Sequence, residues 1–149
     1  MINGIGVFGI LHSTFEYDEI VLVRHNYGQR GWSLPGGGLE PYESIIEGLM
    51  REIKEETGFT NIRVVKQVGI FSSRLGNNPV ILFECEFIDK ENRAPYDESE
   101  IKECCTFNLR SLPKGLYMAQ RRLIDIWRGV IMFKKYDGQI YDWLSEEKI

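Results

Sequence analysis

Arg51-Glu52-Ile53-Lys54-Glu55-Glu56-Thr57-Gly58-Phe59 decides how this chain is read. On an α-helix Glu52 and Glu56 are i, i+4 neighbours, and Glu55 stands beside Glu52 at i+3. Like charges at that spacing repel by roughly 0.2–0.5 kcal/mol per pair. Gly58 suits the left-handed position that closes a helix, so the carboxylates fall in or near the last turn, where the dipole favours cations. The arrangement is unfavourable twice over. A hard divalent cation held by oxygen ligands is the economical compensation.

Upstream of Arg51 stand Glu43 and Gly37. The run from Gly37 to Phe59 reads G-x5-E-x7-R-E-U-x-E-E-x-G-U, with Ile53 and Phe59 at the apolar U positions. This run resembles the Nudix box without a gap or a missing residue. A chance match at average residue usage is below about 10⁻⁸ per window. The resemblance implies an α/β (α+β) fold in which a mixed sheet is sandwiched between helices, with the box as loop-helix-loop. It also implies an enzyme that hydrolyses a nucleoside diphosphate linked to a second moiety.

Carried onto these positions, the resemblance makes Glu52 and Glu56 metal ligands and Glu55 a further ligand or a water-mediated partner. A backbone carbonyl near Gly37 completes the shell. Arg51 orients the glutamates, with Glu43 as its ion-pair partner. The general base is Glu52 or Glu55 within the box, or an acid on a later loop, where Glu98, Glu100 and Glu103 are the candidates. Of these, Glu100 is the one carried forward. The alternative is a non-catalytic nucleotide-binding module on the same scaffold, which a complete box disfavours.

The residues by themselves support the same chemistry. A carboxylate cluster with no Cys or His beside it in sequence suits Mg²⁺, with Mn²⁺ as a substitute, rather than zinc. His12 and His25 are far from the cluster in sequence and read as strand-end or surface residues. Arg24, Arg30 and Arg74 are candidate phosphate contacts. Trp32, just before the glycine run, reads as packing rather than as a stacking platform.

The remaining chain is consistent with one domain over residues 1–149. Its net charge of −4 and scattered Lys and Arg argue against a nucleic-acid footprint. Cys85, Cys104 and Cys105 are odd in number and form no C-x-x-C pair, which suggests thiols in a reducing compartment. Neither a basic-then-apolar leader nor a membrane-length apolar run is evident, and the expectation is a cytoplasmic protein. The aromatic tail, Tyr136, Tyr141 and Trp143, is either core or the contact of a homodimer.

Strands are expected at Ile2 to His12, Glu19 to His25, Ile62 to Ser72, Val80 to Ile88 and Glu100 to Leu109, with a short one at Gln139 to Leu144. Trp32 to Glu40, with Pro35 and three successive glycines, is expected to be a loop that lets backbone approach a ligand. The box helix is expected from Tyr42 or Glu43 to Thr57, burying Ile45, Ile46, Leu49, Met50 and Ile53. A second helix is expected over Leu116 to Lys135. Gly4-x-Gly6-x-x-Gly9 lies within the first strand and is no dinucleotide fingerprint. Tyr42 stands where many Nudix relatives carry Gly. The Pro that marks many ADP-ribose pyrophosphatases shortly after the box is missing, so no subfamily is assigned.

Overall fold

The computed structural model describes residues 4–26, 30–73, 79–88, 96–130, 135–136 and 140–144, with backbone alone at 73, 135–136 and 140–144. The strands are β1 (Gly6–Ser13), β2 (Glu19–His25), β3 (Trp32–Ser33), β4 (Gly36–Gly38), β5 (Ile62–Ser73), β6 (Val80–Phe87), β7 (Ile101–Asn108), β8 (Lys135–Tyr136) and β9 (Ile140–Leu144). The helices are α1 (Ile45–Thr57) and α2 (Met118–Trp127).

A mixed six-stranded sheet has the order β4-β1-β6-β5-β9-β8, with β1 parallel to β6 and β5 parallel to β9. A separate antiparallel sheet has the order β3-β2-β7. The second sheet is an addition to the expected single mixed sheet between helices.

Alternation along β1 divides the interior. Val7 and Leu11 enter a cluster with Leu49 and Ile53 of α1, and with Ile81, Phe83, Cys85 and Phe87 of β6. Ile10 enters the other cluster, with Leu82 of β6 and Leu123 and Ile124 of α2. Strand residues i and i+1 point to opposite faces, so a central strand feeding two cores needs apolar side chains at both parities. One helix therefore covers each face, giving the α/β/α layering.

Several sequence expectations change. Trp32 to Glu40 is not wholly irregular, because Gly36–Gly38 pairs with β1 in register Gly6↔Gly38, Val7↔Gly37 and Phe8↔Gly36. Glycines without side chains can still satisfy a ladder where a neighbouring strand offers partners. Helix α1 starts later than expected. Ser44 is its N-cap, and a reciprocal bond pair with Glu47 makes a capping box. Gly58 closes the helix at φ 80°, its N–H reaching the Lys54 carbonyl.

The buried stripe of α1 is narrower than its sequence suggests. Leu49 and Ile53 are fully buried, whereas Ile45 and Ile46 of the first turn are exposed. Gly48 faces the Leu39 side chain and Glu43, leaving no room for a Cβ.

Helix α2 is half the expected length. Arg128 caps it, Gly129 turns at φ 74°, and Val130 is exposed. Ile131 and Phe133, expected in that helix, lie outside the described residues, as do the side chains of Tyr136, Tyr141 and Trp143. His12 lies near the end of β1, one of the two placements expected, but not at the surface. It is fully buried, bonded to Glu84 at 2.9 Å, and Glu84 also accepts from the Trp127 indole at 2.8 Å. Cys85 is buried and Cys105 exposed, and none of the three cysteines is in a disulfide. Among the described residues no helix is long and apolar enough to cross a membrane.

Candidate active site

The box carboxylates are placed by α1, and α1 is placed by Leu49 and Ile53 pressing on the sheet. With those two residues inward, Glu52 and Glu56 fall on the flank facing β4, and Glu55 points further out. Glu56 is buried at 3% exposure; its Oε1 accepts the Gly36 N–H at 2.7 Å and its Oε2 lies 3.2 Å from His25 Nε2. Glu52 lies against Gly37 so closely that a Cβ there would stand 2.6 Å from its Oε1. The glycine run is thus a wall of bare backbone against two box carboxylates, as a close-approach loop requires.

Arg51 ties the rest together. Its Nε and Nη2 donate to Glu43 at 2.6 and 2.9 Å, and Nη2 also donates to the Gly38 carbonyl at 3.1 Å. Nη1 donates to Glu52 at 3.0 Å and to Glu55 at 3.4 Å. A planar fork suits this multiple grip, which a point-charge ammonium cannot reproduce. The Arg51 bonds hold the Glu43 carboxyl at about 2, helped by the Glu40 N–H. Arg51 itself is driven further up by Glu43.

The two inner carboxylates shift the other way. Burial pushes Glu52 up to about 7, the Glu56 charge adds to this, and Arg51 opposes it. Burial also raises Glu56, against the pull of His25 and the Gly36 N–H, while the Glu100 charge raises it further. Buried acids that resist ionisation beside one another are what a cation would stabilise.

Among the described residues no three acidic, imidazole or thiol side chains converge into a ready cage. Each box carboxylate leans on a protein donor instead: Glu52 and Glu55 on Arg51, Glu56 on Gly36 and His25. The donor set still fits a hard cation. It is all oxygen, it is partly desolvated, and Gly37 leaves clear the space beside Glu52 that a Cβ would fill.

The acids of the later loop separate in space. Asp97 to Glu100 forms a turn clipped to α1 by Asp97 N–H donating to the Glu55 carbonyl at 2.7 Å. Asn26 clips it to β2, donating from its backbone to Glu100 O and from its side chain to Glu98 O, each at 2.8 Å. Glu100 is close enough for its charge to act on Glu56. Glu103 points to Arg24 across the β2–β7 pair at 3.0 Å.

Arg24, a candidate phosphate contact, is therefore engaged with Glu103. Arg30 is exposed with φ 54°, and Arg74 lies outside the described residues. Trp32 packs in the core, edge-on to Phe107 with ring centroids 4.8 Å apart. His25 is the site residue that sequence reading missed. No spacing from the box points to it, since 31 positions separate it from Glu56.

A family model described as the NUDIX domain matches residues 3–125. The chain belongs to the NUDIX family. This NUDIX chain is 33% identical over 130 residues to an ADP-ribose pyrophosphatase of Methanocaldococcus jannaschii, covering 83% of this chain and 73% of that one. It is 26% identical over 152 residues to an ADP-ribose pyrophosphatase of Saccharomyces cerevisiae, covering 91% of this chain but only 66% of the yeast protein. In three dimensions it resembles an ADP-ribose pyrophosphatase of Streptococcus suis, with a TM-score of 0.69 at 22% identity over 95% of this chain and 99% of the other. The NUDIX fold expected from the box is thereby established. The expected reaction class, hydrolysis of a phosphoric anhydride, agrees with the names of these relatives.

Proposed function

We propose that this NUDIX chain is a Mg²⁺-dependent pyrophosphohydrolase, with Mn²⁺ able to substitute, cleaving the P–O–P bridge of a nucleoside di- or triphosphate derivative. Within that class a nucleoside diphosphate joined to a sugar, of the ADP-ribose kind, is the leading substrate, in keeping with the relatives. The observation that carries the reading is the pair of half-buried Glu52 and buried Glu56, one turn apart against the bare backbone of Gly36 and Gly37.

Glu52, Glu56 and backbone at Gly37 would hold the cation, with Glu55 as a further ligand. When bound, such a cation neutralises phosphate oxygens and acidifies a water for attack on phosphorus. Arg51 keeps Glu52 and Glu55 directed to one side, and Glu43 keeps Arg51 in place. Glu100 is assigned as the general base that receives the water proton at its carboxylate, because it is the later acid whose charge reaches Glu56. The backbone bonds from Asn26 and to Asp97 hold the turn that presents it.

The test is a substrate panel of ADP-ribose, nucleotide sugars and dNTPs, with and without Mg²⁺, read by phosphate release after phosphatase or pyrophosphatase treatment. Turnover of at least one compound, lost without the metal and cut by orders of magnitude in Glu56→Gln, is expected. No turnover of any diphosphate, with nucleotide binding retained in calorimetry, would replace this reading with a binding module.

A further inference from the structure

We infer that His25 is a positioning residue for Glu56, fixing the carboxylate that the proposed function assigns to the cation. The inference rests on that assignment. The β2–β7 ladder runs in even register from Glu19↔Asn108 to Arg24↔Glu103 and then slips, so that His25 stands opposite Ile101 and Lys102 is passed over. The surplus residue lies on β7, not on β2; along β2 His25 keeps the parity of Val21, which packs with Leu49 and Ile53 of α1. That face turns the imidazole toward α1, and His25 Nε2 lies 3.2 Å from Glu56 Oε2. The next residue, Asn26, holds the turn that carries Glu98 and Glu100. One strand end thus fixes both the innermost box carboxylate and the acidic turn.

The division of labour at Glu56 is what makes the contact more than burial of an acid. A carboxylate has about four acceptor positions, two on each oxygen. The Gly36 N–H takes one on Oε1, and His25 takes one on Oε2. The carboxylate cannot rotate about its terminal torsion without breaking a bond, yet each oxygen retains a free acceptor direction. Both side chains are largely buried, His25 at 15% and Glu56 at 4% exposure, so water is a poor replacement donor. Donors of this type behind a metal-ligating group commonly set affinity by about 10- to 100-fold.

Mn²⁺ titration followed by electron paramagnetic resonance, on the intact chain at pH 8, tests the assignment. Wild type, His25→Ala, His25→Gln and Glu56→Gln are compared, with urea melts of each. The glutamine amide places an N–H near the position of Nε2, whereas alanine offers none. His25→Ala should bind Mn²⁺ about tenfold more weakly. His25→Gln should recover most of that loss, even if its melting midpoint is no better than that of alanine. Should His25→Ala fail to fold, His25→Asn replaces it, its shorter amide falling short of Glu56. Affinity in the alanine variant within about twofold of wild type, or a glutamine variant as weak as alanine, overturns the role of His25 alone. If wild type and Glu56→Gln bind Mn²⁺ equally, the assignment of Glu56 falls, and the role of His25 falls with it.

Discussion

Arg51 grips Glu43 through two nitrogens of one guanidinium, Nε to Oε2 at 2.6 Å and Nη2 to Oε1 at 2.9 Å, across the start of α1. The same plane reaches Glu52 and the Gly38 carbonyl, so one side chain links the glycine strand, the helix start and the turn of α1 that carries Glu52. Arg51→Lys retains the charge and loses the fork. A melting temperature lower by about 3 °C or more is expected, together with weaker Mn²⁺ binding. Glu43 sets the acid limit of this contribution. Its folded value of about 2 is depressed, so the stabilisation is complete above the ordinary 4.5 and disappears as pH falls toward 2. A thermal scan in which Arg51→Lys matches wild type at neutral pH would contradict the fork's role.

The three glycines of β4 should respond to alanine in three different ways. At Gly36, with φ 156°, a Cβ would stand 2.1 Å from the Val7 carbonyl oxygen, and backbone cannot move aside, so Gly36→Ala should cost about 3 kcal/mol or more. At Gly37 the obstacle is the flexible end of Glu52, 2.6 Å away. Gly37→Ala should therefore fold, displace the carboxylate, and lose at least about tenfold in Mn²⁺ affinity. At Gly38 nothing lies within 4 Å, and Gly38→Ala should stay within about 0.5 kcal/mol of wild type. Urea melts paired with Mn²⁺ titrations separate the three, and a Gly37→Ala protein with unchanged Mn²⁺ binding would refute the cradle.

This glycine run also shows where sequence reading stops. Spacing located the box helix and its closing Gly58, because these are local; the Arg51–Glu43 pair was implied by the resemblance to the Nudix box. It did not reveal that Gly36–Gly38 is a strand, since glycine has no side-chain pattern and only the partner strand β1 makes the ladder. His25 was invisible for a related reason: only the packing of β2 against α1 brings it to Glu56, 31 positions away. Ile45 and Ile46 looked buried because helical period marks a face without telling how far the sheet beneath extends.

Metal-free protein should lose stability as pH rises from about 4.5 to about 7. Glu52 titrates in the folded state at about 7, above its ordinary 4.5, so the folded protein binds the extra proton across that window. Below the window both states are protonated, and above it the folded state carries a charge that its surroundings disfavour. With the Glu52 side chain only 12% exposed, the loss is on the order of 2–3 kcal/mol. Glu56, raised in the same direction, adds to the slope. Glu52→Gln should flatten most of it, and added Mg²⁺ should stabilise wild type more at pH 8 than at pH 5. Denaturant melts at intervals across this range provide the check, and an equally steep slope in Glu52→Gln would assign the effect elsewhere.

The acids of the β7 lead-in offer the sharpest separation of chemistry from charge. Glu98, Glu100 and Glu103 are alternate residues or nearly so, and all are negative, yet they face different partners. Glu103 is paired with Arg24, and Glu98 contributes a backbone carbonyl to Asn26. Glu100 is the one whose charge is felt at Glu56. If it takes the proton from water, Glu100→Gln should lower kcat by about 10²- to 10⁴-fold, with little change in KM or Mn²⁺ affinity. Glu98→Gln and Glu103→Gln should stay near wild type, because the backbone clips survive both changes and the Arg24–Glu103 pair is partly exposed, at 30% and 41%. Equal small losses in all three variants would show the loop acting only as a field of negative charge, and would return the base to Glu52 or Glu55.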